Sequence, residues 1–225
     1  MTAPSSATTL DRWSGGCLIA AGLLILPGML HPDIFSTTLA DAALGARLWV
    51  PMHAGGLVAT ALTLIGLAGL YAPRAARLGR LGGVGFALVV PGLVMTGALA
   101  WAEAFLLPVI SREHPELFGW DGPVTTSWAI RLTAGTALCW LVGLVLLGLA
   151  LWRHGVLPSR AALTLTGAAA AWTVFGGLLL PVVGPLSTLA LAIGYIWLGT
   201  ALFTGATGRR PVPAPRPVQQ GAGER

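Results

Sequence analysis

Lysine and asparagine are absent from this chain, and only eight of its 225 residues are Asp or Glu. Charged residues make up 9% of the sequence, against about 25% in an ordinary soluble domain. A water-soluble globule of this size is excluded, because too few polar groups exist to cover its surface. Cysteine is nearly missing as well. Cys17 and Cys139 stand alone, without metal-ligand spacing around either, which excludes a disulfide framework or a zinc module; both read as packing residues. No HExxH, CxxC, GxSxG or P-loop pattern occurs, so the common signatures of metalloproteases, dithiol enzymes, serine hydrolases and NTPases are missing.

What fills the chain is apolar. Hydrophobic residues account for 55% and the mean hydropathy is +0.79. Six runs approach or exceed the roughly 20 residues that a helix needs to cross a hydrocarbon core of about 30 Å. They are 13–30, 49–71, 81–110, 127–152, 161–180 and 182–203. Backbone amides in lipid must be satisfied within their own segment, so such runs are helices. The expected fold is all-α, a polytopic transmembrane bundle of six helices. Residues 1–12 and the Arg/Pro-rich tail 205–225 are expected to be disordered, flanking one transmembrane domain at 13–204. The first run lacks an A-x-A site and a basic leader, so it reads as a retained helix rather than a signal peptide.

All 13 cationic side chains are arginine, which together with abundant Gly, Ala and Leu points to a GC-rich bacterial genome. The pI of about 10.6 raises nucleic acid as a partner, but the placement of the arginines argues against it. Arg12, Arg74, Arg77, Arg80, Arg153, Arg160, Arg209, Arg210, Arg216 and Arg225 fall on one side of the expected spans. Arg47, Arg112 and Arg131 fall on the other. Ten against three puts both termini in the cytoplasm by the positive-inside rule, in the plasma membrane of a bacterium. Arginine is here a topology signal. The lipid bilayer is the expected partner, with a homo-oligomer or a membrane-complex partner as further readings.

Small residues recur along several runs. Gly15, Gly16 and Gly22 lie on the first, Gly92, Thr96 and Ala100 on the third, and Gly135, Cys139 and Gly143 on the fourth. The last two sets repeat every four residues and so share a helix face. Inside lipid, close backbone approach over small residues drives helix association. Of the nine tryptophans, Trp13, Trp49, Trp120, Trp128 and Trp152 stand near span ends, where indoles anchor at headgroup level. Trp101, Trp140, Trp172 and Trp197 lie deeper, as core packing or as the lining for an apolar small-molecule ligand.

The few ionisable groups near the spans carry the functional question. At 1.5 Å per residue, His31 sits about 27 Å along the first helix, and His53 about 6 Å inside the second from the same outer edge. Glu103 and Arg131 reach that layer from the third and fourth helices. Glu113, His114, Glu116 and Asp121 occupy the loop above. Pro51 suits the first turn of a helix, where the dipole disfavours a charged His53; a neutral imidazole is what a metal or haem iron needs. Asp33 is placed to hold the His31 ring.

Three readings follow. In the first, His31, His53 and Glu103 bind a metal ion with an open position, or the two histidines ligate a haem with Arg131 beside a propionate. In the second, Glu103 is the catalytic acid/base of an enzyme acting on a lipid or isoprenoid. In the third, Arg131 pairs with Glu103, the histidines cap helix ends, and the chain is a non-catalytic subunit.

His31-Pro32, Leu48-Trp49-Val50-Pro51-Met52-His53, Gly66-Leu67-Ala68-Gly69-Leu70-Tyr71 and Glu103 together resemble six-helix membrane proteins of high-GC Gram-positive bacteria, over residues 13–203. The resemblance implies the topology and directs attention to His31, His53 and Glu103; it implies no activity. Membrane-embedded terpene cyclases are of comparable size, but this chain lacks their paired intramembrane acids.

Overall fold

The computed structural model describes residues 7–31, 43–44, 47–119, 121–176 and 182–206. It is all-α, with no strand among these residues. The helices are α1 (Thr9–Ile25), α2 (Trp49–Tyr71), α3 (Ala75–Trp101), α4 (Leu107–Glu113), α5 (Trp128–Arg153), α6 (Ser159–Ala171) and α7 (Val183–Thr204). Four stretches are long and apolar enough to cross a membrane: Thr9–Leu30, Trp49–Glu113, Trp128–Arg153 and Val183–Thr204. The second runs for 65 residues and is a hairpin: α2 and α3 are joined by the short 3-10 turn Ala72–Arg74 and pack on each other.

The helices are ordered as a closed ring. Each of α1, α2, α3, α5, α6 and α7 packs on its neighbour in the chain, and α7 returns to α1. Close contacts set the directions. Gly15 meets Gly199 while Gly22 meets Ala192, so α1 and α7 run antiparallel. Gly85 meets Leu147 and Gly92 meets Trp140, so α3 and α5 do the same. The start of α1 and the end of α7 therefore lie at one end, where Gly205 faces Ala7. The ring is filled rather than hollow: Leu18, Leu67, Leu141, Leu144, Leu147 and Leu198 pack through its middle, and Trp140 stacks on Tyr195 at 6.4 Å. Leu23, Ile65, Val84, Val142 and Ile193 face outward, the pattern of helices solvated by hydrocarbon chains.

The helix seams only partly follow the four-residue stripes. The α3–α5 crossing is built on Gly85, Gly92 and Gly143, with Gly85 and Gly143 placed so that each would put a Cβ onto the other's carbonyl oxygen. Gly135 and Gly16 have open space instead. Gly85 does not stand out in the sequence, because its neighbours Gly82 and Gly83 blur the period. Cys17 and Cys139 are free and half-buried.

The structure corrects the expected start of the first helix. Residues Thr9–Arg12 belong to α1 and not to a disordered N-terminus. Thr8 Oγ1 accepts from the Asp11 N–H at 3.1 Å, and the Asp11 carboxylate accepts from the Thr8 N–H at 3.3 Å. This capping box satisfies two otherwise orphaned donors and extends the helix past the apolar run. The remainder of the segment before residue 7, and the tail beyond residue 206, lie outside the described residues, as do Asp33 and Trp120.

Gly143→Leu forces an added side chain against the Gly85 carbonyl, 2.6 Å from where its Cβ would stand. It is expected to destabilise the bundle by about 1–3 kcal/mol. Gly135→Ala, with nothing within 4 Å, is expected to be neutral or to stabilise by up to about 1 kcal/mol. Thermal unfolding in detergent compares the two variants with the parent.

Candidate functional site

The site lies where α1 ends, α2 begins and α3 ends. Pro27 sits inside the 3-10 turn Leu26–Leu30 that closes α1. Lacking an N–H, it cannot continue the α-helical ladder, and the chain leaves the helix with His31 at its tip. On α2, Trp49 and His53 are four residues apart and share a face. Both are buried, at 1% and 6% exposure.

The end of α3 is shaped by Pro108. Residues Ala102–Leu106 form a π-turn, in which the Leu107 N–H bonds the Ala102 carbonyl five residues back. The next donor in that pattern would serve the Glu103 carbonyl, but the next residue is Pro108, which has no N–H to give. The orphaned carbonyl is met from the neighbouring helix instead: Trp49 Nε1–H donates to Glu103 O at 2.7 Å. A buried carbonyl without a partner is costly, so this bond fixes the end of α3 against the start of α2. Single π-turns of this kind occur often at functional sites.

Around that bond three polar side chains meet. His53 Nδ1 lies 2.8 Å from the Trp49 carbonyl. A carbonyl can only accept, so Nδ1 carries the proton and a neutral His53 presents Nε2 as a lone pair. His31 Nε2 stands 3.1 Å from His53 Nε2, and in this tautomer His31 is the donor. Glu103 Oε2 lies 3.4 Å from the same His53 nitrogen. The rings are edge-on at 5.0 Å between centroids for the two histidines, with Trp49 4.2 Å from His53. His53 Nε2 is thus flanked by a His31 nitrogen and a Glu103 carboxylate oxygen, with the Glu103 side chain 38% exposed.

Sequence reasoning named His31, His53 and Glu103, and the structure brings all three together. Arg131 it does not. That side chain is exposed in the first turn of α5 and joins no ion pair among the described residues. Trp49 is the residue that sequence reasoning missed. Its place at a span end suggested a headgroup anchor, whereas it is buried under Leu107 and Phe118. Trp13 and Trp128, by contrast, are exposed. The signal that separates Trp49 from them is its four-residue spacing to His53. Of the deeper indoles, Trp140 is buried while Trp101 and Trp197 are largely exposed.

Among the described residues no group of three or more His, Cys, Asp or Glu has the arrangement of a metal site. The histidine pair brings two such donors within 3.1 Å of each other. It leaves no slot for a porphyrin, because the two rings touch where the macrocycle would have to stand. In the loop above, His114 and Glu116 are exposed and separate from the cluster. Glu116's own backbone N–H, and then the His114 ring at 3.2 Å, hold its carboxyl below the usual range.

Comparison of the chain with protein-family models, with curated proteins and with solved structures returned no match. The functional reading therefore rests on the geometry above.

Trp49→Phe keeps the ring packing but removes the donor to the Glu103 carbonyl. It is expected to destabilise by about 1–3 kcal/mol, seen as a lowered Tm. An unchanged Tm would mean that the carbonyl finds another partner.

Proposed function

We propose that this chain is a six-pass plasma-membrane protein that binds one transition-metal ion at its outer end, between the Nε2 atoms of His31 and His53. The separation of those atoms, 3.1 Å, carries the reading. Two nitrogens each about 2.0–2.1 Å from a tetrahedral ion stand about 3.4 Å apart, so the ion needs only a few tenths of an ångström of adjustment and the loss of the bridging proton. The anchoring of His53 Nδ1 on a backbone carbonyl is the outer-shell support that metal-bound histidines carry. With two protein nitrogens as its ligands, the ion keeps positions open to water, to a small ligand or to the Glu103 carboxylate beside His53. Open positions suit binding and catalysis rather than a closed structural site.

Six passes follow from counting two spans in the Trp49–Glu113 hairpin and one in the α6 segment, alongside Thr9–Leu30, Trp128–Arg153 and Val183–Thr204. The alternation of ends supports that count: Asp11 and Arg74 meet at one end, and His31, His53 and Glu103 meet at the other. The orientation rests on the arginine bias alone.

A second reading draws on the 3.4 Å approach of Glu103 to His53. There the pair shares a proton and Glu103 acts as acid/base on a lipid reaching its exposed edge.

Purified protein is expected to retain about one metal ion per chain, lost in His31→Ala and kept in Arg131→Ala, by elemental analysis. Absence of stoichiometric metal in the parent contradicts the first reading. The second predicts a lipid product in expressing cells that disappears with Glu103→Gln; identical lipid profiles contradict it. A fluorescent reporter fused after Arg225 is expected to mature, as it does only in the cytoplasm; a dark fusion reverses the orientation.

A further inference from the structure

The end of the bundle opposite the histidines holds a cavity of about 170 Å³. Four parts of the chain wall it: the start of α1 with Asp11, the α2–α3 junction with Arg74 and Arg77, the α5–α6 loop with Val156 and Leu157, and the end of α7 with Leu202. Its floor is apolar, since Val156, Leu157 and Leu202 are all buried. Its charged lining residues are Arg74, Arg77 and Asp11.

We infer that this cavity binds one phosphoryl anion, belonging to an anionic phospholipid headgroup or to a small phosphorylated solute, between Arg74 and Arg77. The carboxylate does not oppose this, because its oxygens are already engaged. Asp11 Oδ2 accepts from the Thr8 N–H at 3.3 Å and from the Thr8 hydroxyl at 2.8 Å. Asp11 Oδ1 accepts from Arg74. That ion pair fixes the Arg74 guanidinium, which also donates to the Leu70 carbonyl at 3.1 Å. Of the five N–H donors on an arginine, two are then committed, and the rest remain on a side chain already held in place. An anion met by a pre-positioned guanidinium gives up less ordering entropy on binding.

Arg77 supplies the uncompensated charge. It is exposed, lines the same cavity, and its side chain takes part in no hydrogen bond or ion pair among the described residues. Two arginines against one aspartate leave the wall net positive, which selects against cations and neutral apolar ligands. Planar guanidinium forks match phosphate oxygens in pairs. The volume is below the roughly 300 Å³ of pockets that take drug-sized molecules, and suits a phosphoryl or glycerophosphoryl group. Basic pockets between helices on the cytoplasmic side are where membrane proteins hold anionic headgroups.

The test uses the full chain in phosphatidylcholine nanodiscs. In one arm phosphatidylglycerol is added and the lipid retained per chain is counted by native mass spectrometry. In the other arm glycerol 3-phosphate is titrated by calorimetry. Arg77→Gln is compared with Arg80→Gln, which removes the same charge three residues on, past the non-helical Gly79 and outside the cavity wall. Saturable binding in either arm, weakened about tenfold by Arg77→Gln and unaltered by Arg80→Gln, supports the site, and the responding arm identifies the source of the phosphate. Absence of saturable binding in both arms, or equal weakening by the two variants, overturns it. Metal content plays no part in either readout.

Discussion

The outer end of this bundle depends on one hydrogen bond between two helices. Pro108 takes away the donor that would serve the Glu103 carbonyl, and the Trp49 indole N–H replaces it at 2.7 Å. The indole is buried at 1% exposure, and a carbonyl left unmet beside it would be costly. The consequences run outward from there. Trp49 is drawn from the interface into a buried position under Leu107 and Phe118. Its own carbonyl then accepts from His53 Nδ1, which turns Nε2 of that ring toward His31 and Glu103. Proline, tryptophan and histidine act in series, and the last of them presents the site.

Much of this architecture was legible from the apolar runs. The second helix runs Trp49–Tyr71 in the structure, as its hydropathy boundaries suggest, because Pro51 starts it and the Ala72–Pro73–Arg74 turn ends it. The convergence of His31, His53 and Glu103 was legible from depth alone, since helical rise is regular enough to count residues from either edge. What depth cannot give is azimuth. Arg131 has the right depth and the wrong face, which no count along a single helix reveals. Trp49 has an interfacial depth, yet an orphaned carbonyl on another helix decides where its ring goes. The beginning of α1 escaped for a different reason: the Thr8–Asp11 capping box is a polar signal, placed before the apolar periodicity begins.

The two ends of the bundle carry contrasting chemistry on one packed frame. Between them the ring is filled with leucine and crossed by glycine contacts such as Gly85–Gly143, so nothing in the described residues opens a path through the middle. At one end the arginines gather, with Arg74 fixed by Asp11 and Arg77 left uncompensated. At the other stand donors able to hold a proton or a metal ion. The basic pI that first suggests nucleic acid resolves into the arginine-rich end, while the histidine end contributes little charge.

His31 and His53 are bonded nitrogen to nitrogen, with the His53 tautomer set by the Trp49 carbonyl. Nitrogen-15 NMR of histidine-labelled protein in nanodiscs, prepared metal-free, tests this directly. The His53 ring is expected to be protonated at Nδ1, with a coupling between its Nε2 and that of His31 across the hydrogen bond. Two independent rings, each protonated at Nε2 and exchanging with solvent, would contradict it.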